Sequence, residues 1–305
     1  MIKIGIIGLG NIAGKAYLPV LCALSGFEFH LCSRNEERLK QISAAYRISD
    51  IHADVDSLID AGISGAFVHT ATDSHLDIIK KLLEAKIHVF ADKPITLDYE
   101  LSKQLVELAE ARNLLFMIGF NRRFAPAYQY LKEIQEPTLI IMQKNRTSLP
   151  DEVRRFILDD FIHVVDTLCF LFPYPIDNLI VQGIKKQGKL YQVVLQFVSK
   201  SGAVAIGIMN RGGNVTEEKV EVMSAAIKAV AINVSQLVIE NSNISGIARS
   251  NDWESTLHKR GFEPMINYFL QAVTTNNYSA YNLRDALFTH EICERIVERL
   301  ESEPE

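Results

Sequence analysis

The chain is poor in the residues that mark several specialised protein classes. Only four cysteines occur in 305 residues, and Cys22, Cys32, Cys169 and Cys293 stand far apart. None forms a CxxC pair or a Cys/His ligand spacing, so a disulfide framework and a zinc ribbon are excluded and no metal site is expected. Each thiol reads as a small apolar packing group in a reducing, cytoplasmic setting. No apolar run approaches the roughly 20 residues that cross a bilayer. An excess of basic charge is also missing: 32 Lys and Arg stand against 37 Asp and Glu, a formal net charge of −5. Surfaces that grip nucleic acid or anionic membranes are normally basic, so neither partner is expected. Residues 1–14 lack a charged segment followed by a long apolar stretch and a cleavage site, and read as structure rather than as a leader.

What is present is ordinary globular material. Hydrophobic residues make up 48% and charged residues 23%, in a length that suits about two domains. Residues 2–7 form a short, nearly continuous apolar run, as expected of a strand buried on both faces. Strand and helix then alternate: helix 12–24, strand 27–32, helix 35–46, a weak strand near Ile51, and a short helix around Leu58. Strand 65–69, helix 74–85, strand 88–91, helix 98–112 with Asp98 as its N-cap, and strand 114–119 follow. Six strands alternating with helices predict a doubly wound parallel sheet over residues 1–120.

Beyond Gly119 the rhythm changes. A long helix over 151–172 stops before Pro173. Strand-like runs at 180–184, 190–198, 203–209, 218–223, 226–234 and 237–239 follow, joined by turn-rich links such as Lys200-Ser201-Gly202. Consecutive strands with short links predict antiparallel pairing. Helices near 264–273 and 283–300 close the chain, with a frayed tail at 301–305. Residues 121–305 thus read as an α+β domain with an open, mostly antiparallel sheet, its C-terminal helices free to pack back on the first domain.

Three groups of residues carry chemistry. Gly8-Leu9-Gly10-Asn11-Ile12-Ala13 follows a strand and opens a helix. In that context Gly8 permits the tight turn and Gly10 lets a pyrophosphate approach the backbone. Ala13 lets helix and strand pack closely, and the free N–H groups at the helix start face the phosphates. The second strand ends Leu31-Cys32-Ser33-Arg34, without the carboxylate that accepts the ribose hydroxyls of NAD. Ser33 and Arg34 suit a 2′-phosphate, which favours NADP, with NAD as the alternative. Lys93, in Ala91-Asp92-Lys93-Pro94, falls at the carboxyl edge of the sheet where ligands bind, and the Lys93–Pro94 bond is open to either isomer. In the long helix Asp159, His163 and Asp166 are spaced i, i+4, i+7 on one stripe of an otherwise apolar segment. Buried ionisable groups are costly unless paired or used, so this stripe suggests a lined cleft. His163 would exchange a proton, Asp159 would orient its ring, Lys93 would polarise the substrate oxygen, and Asp166 reads as structural.

With these motifs on view, the sequence resembles the Gfo/Idh/MocA family of NAD(P)-dependent oxidoreductases over essentially its whole length. The likeness extends through His69-Thr70-Ala71-Thr72-Asp73-Ser74-His75, residues 87–94, Gly119-Phe120-Asn121-Arg122-Arg123-Phe124 and the 159–166 helix. It is nearest to the MviM-like subgroup, whose signatures look like residues 12–20, 158–166 and 253–262. The resemblance implies a Rossmann domain and an α/β domain whose open sheet forms a homodimer or larger homo-oligomer. It also implies Lys93 and His163 as the main catalytic pair with Asp159 assisting, and cofactor contacts from Thr70, Thr72, His75, Asp92, Lys93, Pro94 and Asn121. Lys93, Arg123, Arg146 and His163 are expected at the substrate, and Arg122, Arg154, Arg155 and Arg211 add to an arginine set suited to a carboxylate or phosphate. Tyr128 and Trp253 are candidates for stacking on a sugar ring, or else core or interface residues. Four departures stand out: Asp92 for the usual Glu, Thr72 for Pro, Lys86 for a helix-ending Gly, and Phe161 for Gly, whose ring would narrow the substrate space. The implied reaction is hydride transfer between NADP or NAD and a hydroxyl or carbonyl carbon of a small, sugar-like substrate. The alternatives are a non-catalytic nicotinamide-nucleotide sensor or assembly protein, and a non-redox glycosidase with tightly held cofactor.

Overall fold

The computed structural model describes residues 1–241, 245–248, 253–278 and 281–303, in two compact units. The first comprises Met1–Gly119 with Phe262–Leu287, the second Phe120–Gly261 with Phe288–Glu305.

In the first unit, β1 (Ile2–Ile7), β2 (Phe27–Cys32), β3 (Ile51–His52), β4 (Gly65–Val68), β5 (His88–Ala91) and β6 (Phe116–Ile118) form one sheet in the order β3-β2-β1-β4-β5-β6. Every pair is parallel. This is the strand order of dinucleotide-binding sheets, which place ligands at the carboxyl ends where the order reverses, between β1 and β4. The inner strands are covered on both faces: Ile4, Ile6, Phe67, Val68 and Phe90 have no exposed surface, which is why their sequence is continuously apolar. The helix Phe262–Thr275 lies on this sheet, with Phe269 edge-on to Phe67 at 4.9 Å between ring centroids. Asp98 caps its helix as expected, accepting from the Leu101 N–H. Lys86 stands at φ +61°, in the left-handed region that explains why glycine is frequent there. The first helix departs from expectation: Ala13–Tyr17 is a π-helical turn, and α-helix resumes at Leu18–Leu21.

In the second unit, eight strands run β14-β13-β12-β11-β7-β10-β9-β8. They are β7 (Leu139–Asn145), β8 (Asn178–Lys186), β9 (Lys189–Val198), β10 (Val204–Asn210), β11 (Glu217–Met223), β12 (Lys228–Ile232), β13 (Gln236–Glu240) and β14 (Ser245–Ala248). All neighbours are antiparallel except β7 and β10, so the sheet is mixed and mostly antiparallel. Strands β7 and β14 are absent from the sequence reading. The polar Gln143-Lys144-Asn145 end of β7 disguises an alternation in which Ile140, Met142 and Lys144 point inward.

The helix over that inner face is not uniform either. Val153–Arg155 leads into a π-helical stretch, Phe156–Phe161, and the α-helix proper is Ile162–Leu171. Its close approach to β10 depends on Gly207: a Cβ there would stand 2.8 Å from Val164 Cγ1 and 3.0 Å from Leu168 Cδ1. The Phe161 ring, expected to narrow a substrate space, is fully buried in this same layer, with Cζ 3.6 Å from the Cβ position of Gly207. The final helix, Leu283–Ser302, carries the chain past the start of the expected frayed tail, and residues 304–305 lie outside the described residues. Among the described residues no helix is long and apolar enough to cross a membrane.

Replacing Gly207 by alanine forces this helix and sheet apart. The expected loss of stability is about 1–3 kcal/mol, read as a shift of the urea midpoint; an unchanged midpoint would show that the layer has slack.

Candidate functional site

In the first unit the glycine turn, the ends of β2 and β4 and the following loops enclose a cleft of about 600 Å³. Gly8, Gly10, Ser33, Arg34 and Thr70 line it, with Asn35, Asp54, Asp56, His69 and Lys81. Gly8 has φ +87°, and a Cβ on it would stand 2.7 Å from the Thr70 nitrogen, so only glycine fits. No atom lies within 4 Å of the Cβ position of Gly10, which leaves the backbone open to a phosphate group. Asn11 and Ile12 are exposed at the helix start, while Ala13 is buried in the helix–strand packing. At the end of β2, Ser33 Oγ accepts from the Asn35 N–H at 3.2 Å, and Arg38 Nε donates to the Leu9 carbonyl at 3.0 Å.

Beside the cleft, Asp92 joins two buried rings that the sequence reading passed over. Tyr17 Oη donates to Asp92 Oδ1 at 2.6 Å, and His69 Nδ1 lies 2.9 Å from Asp92 Oδ2. The two rings stack, their centroids 3.9 Å apart. Burial would raise the Asp92 pKa, but His69, Tyr17 and Lys93 together hold it below the ordinary value. An ionised carboxylate only accepts, so His69 donates to it from Nδ1. His69 Nε2 and Thr70 Oγ1 are both buried without a hydrogen-bond partner among the described residues, and both residues line the cleft. Orphaned polar atoms above an open glycine turn fit a nicotinamide dinucleotide, which would supply donors and acceptors for them. Lys93 follows half-buried, joined to Pro94 by a cis bond.

Two expected cofactor contacts are committed elsewhere. His75 is buried, with Nδ1 3.0 Å from the Pro94 carbonyl and Nε2 3.2 Å from the Thr70 carbonyl, so it ties the two loops together. Asn121 is buried in the second unit, donating to the Arg260 carbonyl at 2.7 Å and accepting from Arg122. Thr72 is half-buried in the turn Thr72–Ser74.

The second unit holds a connected polar interior. Arg122 forks onto Glu218, Nε to Oε1 at 2.7 Å and Nη2 to Oε2 at 2.6 Å, and Tyr128 Oη donates to the same Oε1 at 2.7 Å. Burial would raise Glu218, but the Arg122 guanidinium pulls its pKa down to about 2. Arg122 Nη1 reaches His163 Nδ1 at 2.9 Å. Arg122 therefore takes, at Nδ1, the place expected of Asp159. Asp159 stands in the π-helical stretch, and its carboxylate lies 3.9 Å from Arg155. Across the sheet register from Glu218, Lys144 is buried and paired with Asp160. Burial and the Arg122 charge bring the Lys144 ammonium down to about 7 against the pull of Asp160. Lys144 and Glu218 were legible as inward positions of alternating strands, had those strands been phased.

The arginine set is largely matched by acids. Arg123, expected at the substrate, instead grips buried Asp166 at 2.6 Å, and Thr289 donates to that carboxylate at 3.1 Å. Asp166 is structural, as expected, and burial outweighs Arg123 in raising its pKa. Arg154 pairs with Glu294 at 2.6 Å, and Arg211 stacks on Phe156. Arg146 meets Asp160 at 3.1 Å but keeps 39% of its side chain exposed. Tyr128 is buried, whereas Trp253 is 94% exposed and no core residue. The Cys22 and Cys32 thiols are pushed up to about 11 and about 12 by burial, as befits packing groups.

Residues 2–120 match the GFO_IDH_MocA family, an oxidoreductase family with an NAD-binding Rossmann fold, and residues 126–242 match a YceM-like C-terminal domain. YceM of Salmonella typhimurium is 30% identical over 98% of this chain and 97% of its own. Myo-inositol 2-dehydrogenase of Thermotoga maritima is 24% identical over 78% of this chain and 77% of its own. The crystal structure of the dehydrogenase MviM from Clostridium difficile superposes with a TM-score of 0.92 at 30% identity, covering 98% of this chain and 99% of that one.

The Glu218 pairing predicts an acid-labile unit. Its folded-state pKa, about 2, lies below the ordinary 4.5, so the unfolded chain takes up the proton first as pH falls. The stabilisation, about 3 kcal/mol, is complete above pH 4.5 and lost as pH falls towards 2. Urea midpoints recorded across that range should fall, and Glu218→Gln should be weaker at pH 7 and lack this increment.

Proposed function

The chain belongs to the Gfo/Idh/MocA family of oxidoreductases, and on that premise we propose that it transfers a hydride between a nicotinamide nucleotide and a hydroxyl or carbonyl carbon of a small, sugar-like substrate. The observation that carries the reading is the cleft: an open Gly10, a Gly8 that tolerates no side chain, and the orphaned His69 Nε2 and Thr70 Oγ1 beside them. The cofactor supplies the hydride chemistry; the protein supplies orientation and charge. Ser33 and Arg34, both lining the cleft, favour NADP over NAD. Lys93 and His163 are the groups that bind and polarise the reacting oxygen, with Asp159 in a minor role. Arg146 is the arginine best suited to an anionic substituent on the substrate. The myo-inositol 2-dehydrogenase relative supports a polyhydroxylated substrate.

The second face of the eight-stranded sheet carries Ile141, Ile206 and Ile208, all half-buried, and we assign it to contact with a second copy of this chain in the cytoplasm.

Purified protein screened with NADPH and NADP, then NADH and NAD, on polyols, sugars and keto-acids should turn over with preference for the phosphorylated nucleotide. Lys93→Ala and His163→Ala should each lose about 100-fold or more in turnover, and Asp159→Ala less than about tenfold. Arg34→Ala should weaken NADPH binding, followed by fluorescence, by about tenfold to a hundredfold and leave NADH binding alone. Undiminished rates in all three active-site variants would sink the assignment.

Light scattering should give a multiple of the 34.3 kDa chain mass, and Ile206→Lys should return it to that mass; a monomeric wild-type chain would remove the sheet contact.

A further inference from the structure

His163 faces, at Nδ1, a partner that can only give protons. Arg122 is buried, and its Nε and Nη2 are both taken by Glu218, which in turn accepts from Tyr128. This grip fixes the guanidinium plane. The remaining nitrogen, Nη1, lies 2.9 Å from His163 Nδ1 and 3.3 Å from Asn121 Oδ1, one acceptor for each of its two hydrogens. A guanidinium has five donors and no acceptor, and it does not lose its proton in proteins. Burial works against the charge here, but the Glu218 carboxylate more than restores it. The hydrogen between Nη1 and Nδ1 therefore belongs to Arg122, and Nδ1 contributes its lone pair.

We propose that Arg122 fixes His163 in the tautomer protonated at Nε2, so that the ring meets a substrate oxygen as a hydrogen-bond donor and not as a proton acceptor. A neutral ring with its proton on Nε2 has no lone pair there to take another. A second proton on Nδ1 would set two N–H groups against each other at 2.9 Å. His163 keeps its proton and stabilises negative charge as it gathers on the oxygen, a role that neutral imidazoles fill where a proton-accepting one would not. This reverses the sequence expectation that His163 exchanges the proton. Arg122 is a positioning residue, and Glu218 and Tyr128 hold it in place. The catalytic consequence rests on the oxidoreductase reading above; the tautomer does not.

The test needs no substrate. Full-length protein labelled with ¹⁵N-histidine gives long-range ¹H–¹⁵N correlations for each ring, and the His163 set is the one missing from His163→Asn. Nε2 protonated and Nδ1 bare at pH 7 is the expected pattern. Nδ1 protonated, or both nitrogens protonated, would overturn the proposal on the wild-type chain alone. The paired variant Arg122→Met with Glu218→Gln removes both charges together and avoids stranding a buried carboxylate. It should release the ring to a mixture of tautomers; a wild-type pattern in that variant would show that something other than Arg122 sets the proton. A chain with the expected tautomer but no dehydrogenase activity would sink the functional reading and leave this inference standing, and an active chain with the opposite tautomer would do the reverse.

Discussion

Taking a guanidinium and a carboxylate out of water costs several kcal/mol per ion, repaid only where the geometry is close and every remaining hydrogen finds an acceptor. Arg122 and Glu218 meet that condition with a two-pronged contact, and the second unit is arranged around it. Breaking one partner of such a pair typically costs about 3–5 kcal/mol, so Tyr128, Asn121 and the turn they stand on are bound to it as much as it is to them. Gly261 belongs to the same arrangement. At φ +81° it packs so tightly under the 121–125 turn that a Cβ would stand 2.1 Å from the Asn121 carbonyl oxygen, which accounts for the glycine beside Arg260. What reaches His163 is thus the outermost nitrogen of a group that the interior has already fixed.

Two histidines of this chain meet neighbours of opposite kind at the same ring nitrogen. Asp92 accepts from His69 Nδ1, whereas Arg122 donates to His163 Nδ1 and leaves the proton on Nε2. The residue type alone says nothing of this difference, because an imidazole takes whichever form its partner requires. Both rings also stand beside π-helical turns, Ala13–Tyr17 stacking its last residue on His69 and Phe156–Phe161 running directly into the helix of His163. Such turns hold one more residue than the α repeat and are frequent where a side chain has been re-aimed.

That is where reading the sequence reaches its limit. The doubly wound sheet was legible because residues 2–7, 65–68 and 88–91 are apolar on both faces and are spaced by amphipathic helices, a pattern with one topological outcome. Gly8 and Gly10 were legible because a strand and a helix flank them. The i, i+4, i+7 stripe of Asp159, His163 and Asp166 assumed an unbroken α-helix, and the π-turn between Phe156 and Phe161 removes that assumption. Arg123 illustrates the other limit: its residue type suits a ligand anion, but its partner, Asp166, is 43 positions away and nothing local announces it. Asp92 belongs to the same class. Nothing in the departure from the usual Glu announces that Tyr17 and His69 hold this carboxylate from both sides, or that a Cβ at Gly119 would stand 3.0 Å from its Oδ1, so that the glycine keeps the space beside it open.

The matched charges and the unmatched polar atoms carry different information. An arginine that faces a carboxylate at 2.6 Å has its charge answered inside the protein, and Arg122, Arg123 and Arg154 are all of this kind. Such groups explain why the fold is specific, and they say little about what it binds. A buried polar atom without a partner is different, because leaving it so costs about 1–3 kcal/mol and folding alone gives no return for that. Three such side-chain atoms occur among the described residues: His69 Nε2, Thr70 Oγ1 and Arg211 Nε. Two of the three are consecutive, at the end of β4 and opposite the glycine that admits no side chain. The free energy withheld at that point is recovered when a ligand brings its own donors and acceptors, so the cleft binds by completing bonds that the protein has left open.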